Sequence, residues 1–318
     1  MKRILSLIIC LLLIFALTTY ATAEAKKGTI TMSSGSLGGT WFGFGAFLGA
    51  RIFEPLGFEF INKPGGGIAN IIATNEGISD IGLAHTVGLA LAIKGEEPFE
   101  KPMENVVGLM AFFAEPIHLV VLEGIGISKL PDLIGQKFGG ALRSHTADVF
   151  LRDAFEIYGI NNEEQINMQY GSPAELVDLL KDKHIAGFGY GLSVPAAPIT
   201  ELCFTQKIKF LSFDEEELNK LFNKREGYSK YIIPSGTYPK QNYDVQTFAG
   251  RSILVISADV PEDIVYEMTK ALVEKFDTLG EGLAGLEKAK LEETTEFGGL
   301  PVHKGAIKYY KEAGLWKD

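Results

Sequence analysis

The chain has 318 residues, 46% hydrophobic and 22% charged, and these ordinary values exclude disordered, collagen-like and coiled-coil classes. Forty acids against 30 bases give a formal charge of -10, a field that repels phosphate backbones and argues against nucleic acid as a partner. Glycine is in excess at 36 residues, against a usual share of ~7%, which points to many tight turns.

Lys2 and Arg3, the apolar run from Ile4 to Leu17 and the small-x-small site Ala21-Thr22-Ala23 match the three regions of a secretory signal. Residues 1–23 are therefore expected to be removed, leaving an exported protein with a charge of -12 once Lys2 and Arg3 are gone from -10. The run falls short of the ~20 residues a spanning helix needs, and no later apolar run is long enough to cross a membrane. Cys10 leaves with the signal. Cys203 then stands alone, read as a buried inert thiol without a base beside it.

The mature chain alternates short β-rich runs with helical ones, the pattern of an α/β protein. Gly28 to Ser33 reads as a strand, followed by a Gly/Ser turn, a helix over 39–53 and a strand over 58–62. The loop Lys63-Pro-Gly-Gly-Gly67 leads to a short helix over 68–75 stopped by Gly77, and to a strand over 80–84. Ile117 to Leu122 is an unbroken apolar run, expected as a strand buried on both faces of a parallel sheet.

A second unit repeats this order: a short helix at 130–133, a strand over 137–141, helices over 146–158 and 173–181, and a strand over 185–190. The stretches Gly65 to Gly88 and Gly171 to Ser193 are the two copies. Residues 214–230 read as a solvated charged helix and loop, 247–256 as strand, and 261–279 and 304–313 as helices. This order predicts two α/β lobes joined by a two-strand hinge, with 24–122 and 250–318 forming the first lobe and 123–249 the second.

The five histidines, His85, His118, His145, His184 and His303, stand singly, with no metal-ligand spacing, and no nucleophile elbow or nucleotide loop occurs. No cofactor or metal is expected, and the acids cluster in runs that read as solvated faces, such as Asp214-Glu-Glu-Glu217 and Glu292-Glu293, with a catalytic carboxylate pair left open. Small polar turns stand out instead. Ser34, Gly35, Ser36, Gly39 and Thr40 precede one helix, and Arg143-Ser144-His145-Thr146 precedes its counterpart. Backbone N–H groups and hydroxyls at such strand-end turns suit a carboxylate in a shared cleft, or each turn simply caps its own helix.

These residues, in this order, resemble the TAXI family of solute-binding proteins that serve TRAP transporters. The resemblance is carried by Gly35-Ser-Leu-Gly-Gly-Thr-Trp41, Gly66-Gly-Ile-Ala-Asn70, Ile78-Ser-Asp-Ile-Gly82, Ser128 to Lys137, Ile233-Pro-Ser-Gly-Thr-Tyr238, Val265-Tyr266 and Pro301 to Trp316. It implies a type II periplasmic-binding-protein fold and a monomer in the periplasm. The protein would capture a small carboxylate or an amino acid such as glutamate and deliver it to an integral-membrane TRAP permease, without catalysis. Carried over by position, the pocket is lined by Ser34, Gly35, Ser36, Gly39, Thr40, Trp41, Asn70, Ser144 and Thr146. Where the family commonly has G-S-G-T, this chain has Arg143-Ser144-His145-Thr146. Arg143 either reaches into the cleft as a bidentate carboxylate partner or points to solvent. His145 is read as a hydrogen-bonding wall residue, and Trp41, Phe42 and Tyr190 as stacking or core aromatics. Two other readings are a binding protein feeding a sensor or an ABC importer, and a secreted enzyme on the same scaffold. The mark of the enzyme would be a base beside the turns, where only His85, Arg143 and His145 stand.

Overall fold

A computed structural model describes residues 27–37, 39–143, 145–283 and 286–316. The expected signal, residues 1–23, and the expected pocket residue Ser144 lie outside the described residues. Strand β1 (Thr29–Ser33), helix α1 (Thr40–Leu48), β2 (Glu59–Lys63), α2 (Gly67–Asn75), β3 (Ile81–His85) and α3 (Thr86–Lys94) form one run. After the long β4 (Val106–Leu122) the pattern recurs as β5 (Lys137–Gly140), α4 (Thr146–Glu156), β6 (Asn167–Tyr170), α5 (Pro173–Lys181), β7 (Gly187–Gly191) and α6 (Ala197–Thr205). The starts of α1 and α4, of α2 and α5, and of β3 and β7 are each 106 residues apart, so the repeat read in the sequence is a structural one.

The strand order is β2-β1-β3-β10-β4-β7-β5-β6, where β10 is Val245–Ser257; β8 (Ile208–Phe210) pairs with β4, and β9 (Tyr228–Ile233) with β10. Within each half of the sheet three strands run parallel, β2-β1-β3 and β6-β5-β7, as helical crossovers require. The two long strands join the halves. β4 pairs with β10 as far as Pro116 and with β7 from Ile117 onward, so the chain passes from one half to the other between those two residues.

The apolar run Ile117 to Leu122 is buried as expected, with Ile117, Leu119, Val120 and Val121 at most 1% exposed. Its pairing is antiparallel, contrary to expectation, and it is only the last third of a 17-residue strand. Burial on both faces sets the composition of a strand and carries no information about its direction. The charged stretch 214–230 forms helix α7 (Glu215–Lys224) and the first residues of edge strand β9, where Ser229 and Lys230 are exposed, as suits an edge. Helix α8 (Glu262–Glu274) and helix α9 (Lys304–Glu312) return to the first half. There Val265, Met268, Leu272 and Tyr310 pack with Met32, Phe44 and Leu254 in one core, and Tyr310 Oη donates to Leu109 O at 2.8 Å. A second core cluster runs from Ile68, Ile71 and Val87 to Val149, Phe150 and Phe155, binding α2 and α3 of the first half to α4 of the second.

Candidate functional site

The carboxyl ends of β1 and β3 and of β5 and β7 point toward one another across the seam between the halves, the place where open α/β sheets hold ligands. His85 closes β3 and is only 6% exposed. Its Nε2 lies 2.7 Å from Glu115 Oε2 on β4, and because a carboxylate only accepts, Nε2 carries the proton. The Trp41 ring lies 5.0 Å from the imidazole, and the Phe150 ring of α4 stands edge-on at 5.3 Å. His85 Nδ1 is buried and has no hydrogen-bond partner.

The second half supplies the facing wall. Thr146, the first residue of α4, is 2% exposed, and its Oγ1 is also buried without a partner. That hydroxyl sits so close to α2 that a Cβ placed on Gly67 would lie 2.2 Å from it. His145 stands beside it; burial, and then the nearby His85 charge, push its pKa down, so it is more easily neutral. Tyr190 on β7 is 8% exposed, and burial together with the Glu115 charge pushes its phenol up to about 12, which keeps it an O–H donor at neutral pH.

Helix termini complete the arrangement. The residues before α1, α2, α3 and α4, namely Gly39, Gly66, His85 and His145, make no side-chain cap. Helix α5 has a full capping box from Ser172 and Glu175, while α6, α7 and α8, like these four, make no side-chain cap. Uncapped N–H groups and the positive ends of helix dipoles converging on one point favour an anion there.

The expected pocket residues divide into three groups. Trp41, His85, His145, Thr146 and Tyr190 gather at the seam. Ser36, Gly39 and Thr40 stand exposed at its rim. Ser34, Gly35 and Asn70 are buried and spend their polar groups on the protein itself. The Ser34 hydroxyl donates to Asn62 Oδ1 at 2.7 Å, and Gly35 O accepts from Gly65 N at 3.0 Å. Asn70 is fully buried: Oδ1 accepts from Gly66 N at 3.1 Å, while Nδ2 donates to Ser34 O at 2.6 Å and to Leu83 O at 2.7 Å. In this structure Asn70 acts as a structural amide. With both N–H bonds and one lone pair of Oδ1 in use, it ties the first turn, the glycine loop and β3 together.

Arg143 takes one of its two expected positions. Its guanidinium pairs with Glu163, lies 5.7 Å from the Tyr170 ring at the end of β6 and is half exposed, so the solvent-facing alternative is the one the structure holds. Replacing Arg143 with alanine is therefore expected to leave ligand affinity within about twofold of wild type by calorimetric titration, since an exposed ion pair contributes little; a tenfold loss would return Arg143 to the cleft.

Glu115 was not among the residues expected from sequence. Outside the seam, an open groove of about 500 Å³ is lined by Glu97, Arg152, Asp153, Glu156, Asn162 and Arg225, among others. Its two arginines are already paired, Arg152 with Asp148 and Glu97, Arg225 with Asp153 and Glu96, which leaves no free charge to recruit a ligand.

The comparisons agree with this geometry. Residues 32–314 match the model of the NMT1-like family, and the chain belongs to that family. MatC from Rhodopseudomonas palustris, solved with bound malate, is 14% identical with a TM-score of 0.55 over 91% of this chain and 98% of its own. The periplasmic binding protein BugD is 13% identical with a TM-score of 0.53 over 92% of this chain and 99% of its own. At such identities the likeness shows the fold: a mixed α/β periplasmic-binding-protein fold with a curled sheet.

Proposed function

We propose that this protein captures a small carboxylate or an amino acid between its two halves, acting as two lobes, 24–122 with 250–318 and 123–249, and hands it to a TRAP-type membrane permease. No reaction is assigned to it. One observation carries this reading: His85 Nδ1 from the first half and Thr146 Oγ1 from the second are buried, unpartnered and brought to one seam where four uncapped helix ends meet. Unpartnered buried polar atoms are costly in an ordinary core and are what a ligand-binding seam would present. The malate held by the similarly folded MatC supports the choice of a small carboxylate.

Closure needs a hinge, and the crossing of β4 at Pro116 and Ile117, with β10 beside it, offers one that two strands alone define. A screen of amino acids and small mono- and dicarboxylates tests the reading by thermal shift. A true ligand at 100 times its Kd raises stability by about 2.7 kcal/mol. The same ligand should shrink the radius of gyration in X-ray scattering. A ligand that binds without changing the radius would refute lobe closure, and no shift across the screen at millimolar concentration would refute the ligand class. Genomic adjacency to a TRAP membrane subunit favours that permease, whereas adjacency to an ABC permease assigns the protein to an importer of that kind.

A further inference from the structure

The unpartnered nitrogen of His85 is one end of a dyad whose other end is Glu115, and the dyad sits where the ligand-binding seam meets the crossing of the halves. Glu115 is 7% exposed and immediately precedes Pro116, at which β4 leaves β10. A buried carboxylate is costly without a partner, and the contact at 2.7 Å to His85 supplies a charge-assisted one.

The contact also fixes the ring. With Nε2–H donating to Glu115, Nδ1 on the other side of the ring is left buried and without a partner, as is the Thr146 hydroxyl at the start of α4. The groups packed around the imidazole are Glu115 from β4, His145 from the N-terminus of α4, Trp41 from α1 and Phe150 from α4, with the Tyr190 phenol of β7 near Glu115. Glu115 is the only carboxylate among them, and it is already engaged. An incoming ligand carboxylate therefore meets helix N-termini and Nδ1. It binds best when Nδ1 carries a proton, because a bare imidazole nitrogen and a carboxylate are both acceptors.

We propose that Glu115 is a positioning residue that orients His85 so that its Nδ1–H, in the imidazolium form, donates to the ligand's anionic group, and that the protein takes up one proton together with that group. This rests on the reading of the seam as a carboxylate site. The sign follows from linkage: a bound anion raises the His85 proton affinity, so carboxylate affinity is full at low pH and falls as pH rises. The limiting slope is about tenfold in Kd per pH unit once the free protein's imidazole is neutral.

The test has two arms. In the first, 15N spectra of histidine-labelled, unliganded protein, with His85 assigned by its loss in His85→Gln, should show Nε2 protonated at high pH. Glu115→Gln should keep that tautomer, since an amide oxygen still accepts, and Glu115→Ala should release it. A neutral ring protonated at Nδ1 in the wild type, or an unchanged ring in Glu115→Ala, would overturn the positioning role. This arm needs no ligand and is readable even if the carboxylate reading fails.

In the second arm, acetate, the minimal carboxylate, is added against chloride at equal ionic strength. It should raise the His85 titration midpoint in the wild type and in Glu115→Gln, which still orients the ring, and raise it less in Glu115→Ala, which does not. An unmoved midpoint in the wild type would overturn proton uptake.

Discussion

Replacement of Arg225 with alanine is expected to cost about 3–5 kcal/mol of stability at neutral pH, as removal of one partner of a buried ion pair does. The Arg225 side chain is 18% exposed and donates from Nε to Asp153 Oδ1 at 3.1 Å and from Nη1 to Glu96 Oε2 at 2.6 Å. The Asp153 side chain is only 4% exposed. Without Arg225, its one remaining hydrogen-bond donor among the described residues is Tyr228 Oη at 2.8 Å, too little for a buried charge.

The pH dependence has a definite sign. Burial already holds the Asp153 carboxyl above its ordinary value, against the pull of Arg225. A folded-state pKa above the unfolded one favours the fold at low pH and disfavours it as pH rises through the folded value. Loss of Arg225 raises the carboxyl further, so the deficit of the variant should be largest at neutral pH and shrink on acidification into the carboxylate range. Adding Asp153→Asn should restore most of the lost stability, because a neutral amide still accepts from Tyr228. Chemical denaturation across pH reads all three effects, and a pH-independent deficit would assign the loss to packing of the Arg225 stem instead.

Most elements of this fold are written locally, and the parts that were misread depend on distant partners. Caps, glycine stops and apolar periods mark α2, α5, α8 and α9, each of which starts within a residue of its expected place. The repeat at 106 residues is legible because both copies follow the same order of loop, helix, stop and short strand. Helix α3 is not, since Val87, Leu89, Ala90, Leu91 and Ala92 are all buried and no polar face remains to reveal a helical period. At the site, Trp41, His85, His145 and Thr146 are legible as turn residues at strand ends. Glu115 is hidden in the apolar run Phe112-Phe-Ala-Glu-Pro-Ile-His118, and its importance comes from a contact with a residue 30 positions earlier. Asn70 shows the converse. Its position in a glycine loop is that of a ligand amide, yet three backbone groups from separate segments occupy both of its N–H bonds and one lone pair of its oxygen.

Enlarging Gly67 should weaken ligand binding strongly while leaving the unliganded protein folded. Gly67 begins α2 with a backbone conformation open to any residue, so alanine there relieves chain entropy and costs the helix nothing. What it disturbs is the approach of the halves. The added Cβ would lie 2.2 Å from Thr146 Oγ1 and 3.4 Å from Thr146 Cβ, so alanine must displace the hydroxyl, and valine adds methyl groups that rotation of Thr146 does not clear. Overpacking costs about 1–3 kcal/mol, and here it falls on the closed arrangement alone, so Kd should rise about 5- to 150-fold, with valine at the upper end. Ligand-induced shrinkage of the radius of gyration should be reduced in Gly67→Ala and absent in Gly67→Val. Thr146→Ala, added to Gly67→Ala, removes the offending oxygen and leaves an ordinary carbon contact. The double variant should therefore close again on ligand, yet bind more weakly than wild type for want of the Thr146 hydroxyl. Wild-type affinity in Gly67→Val would mean that binding does not require the halves to meet at this contact, and the seam between α2 and α4 would lose its claim to be the closing surface.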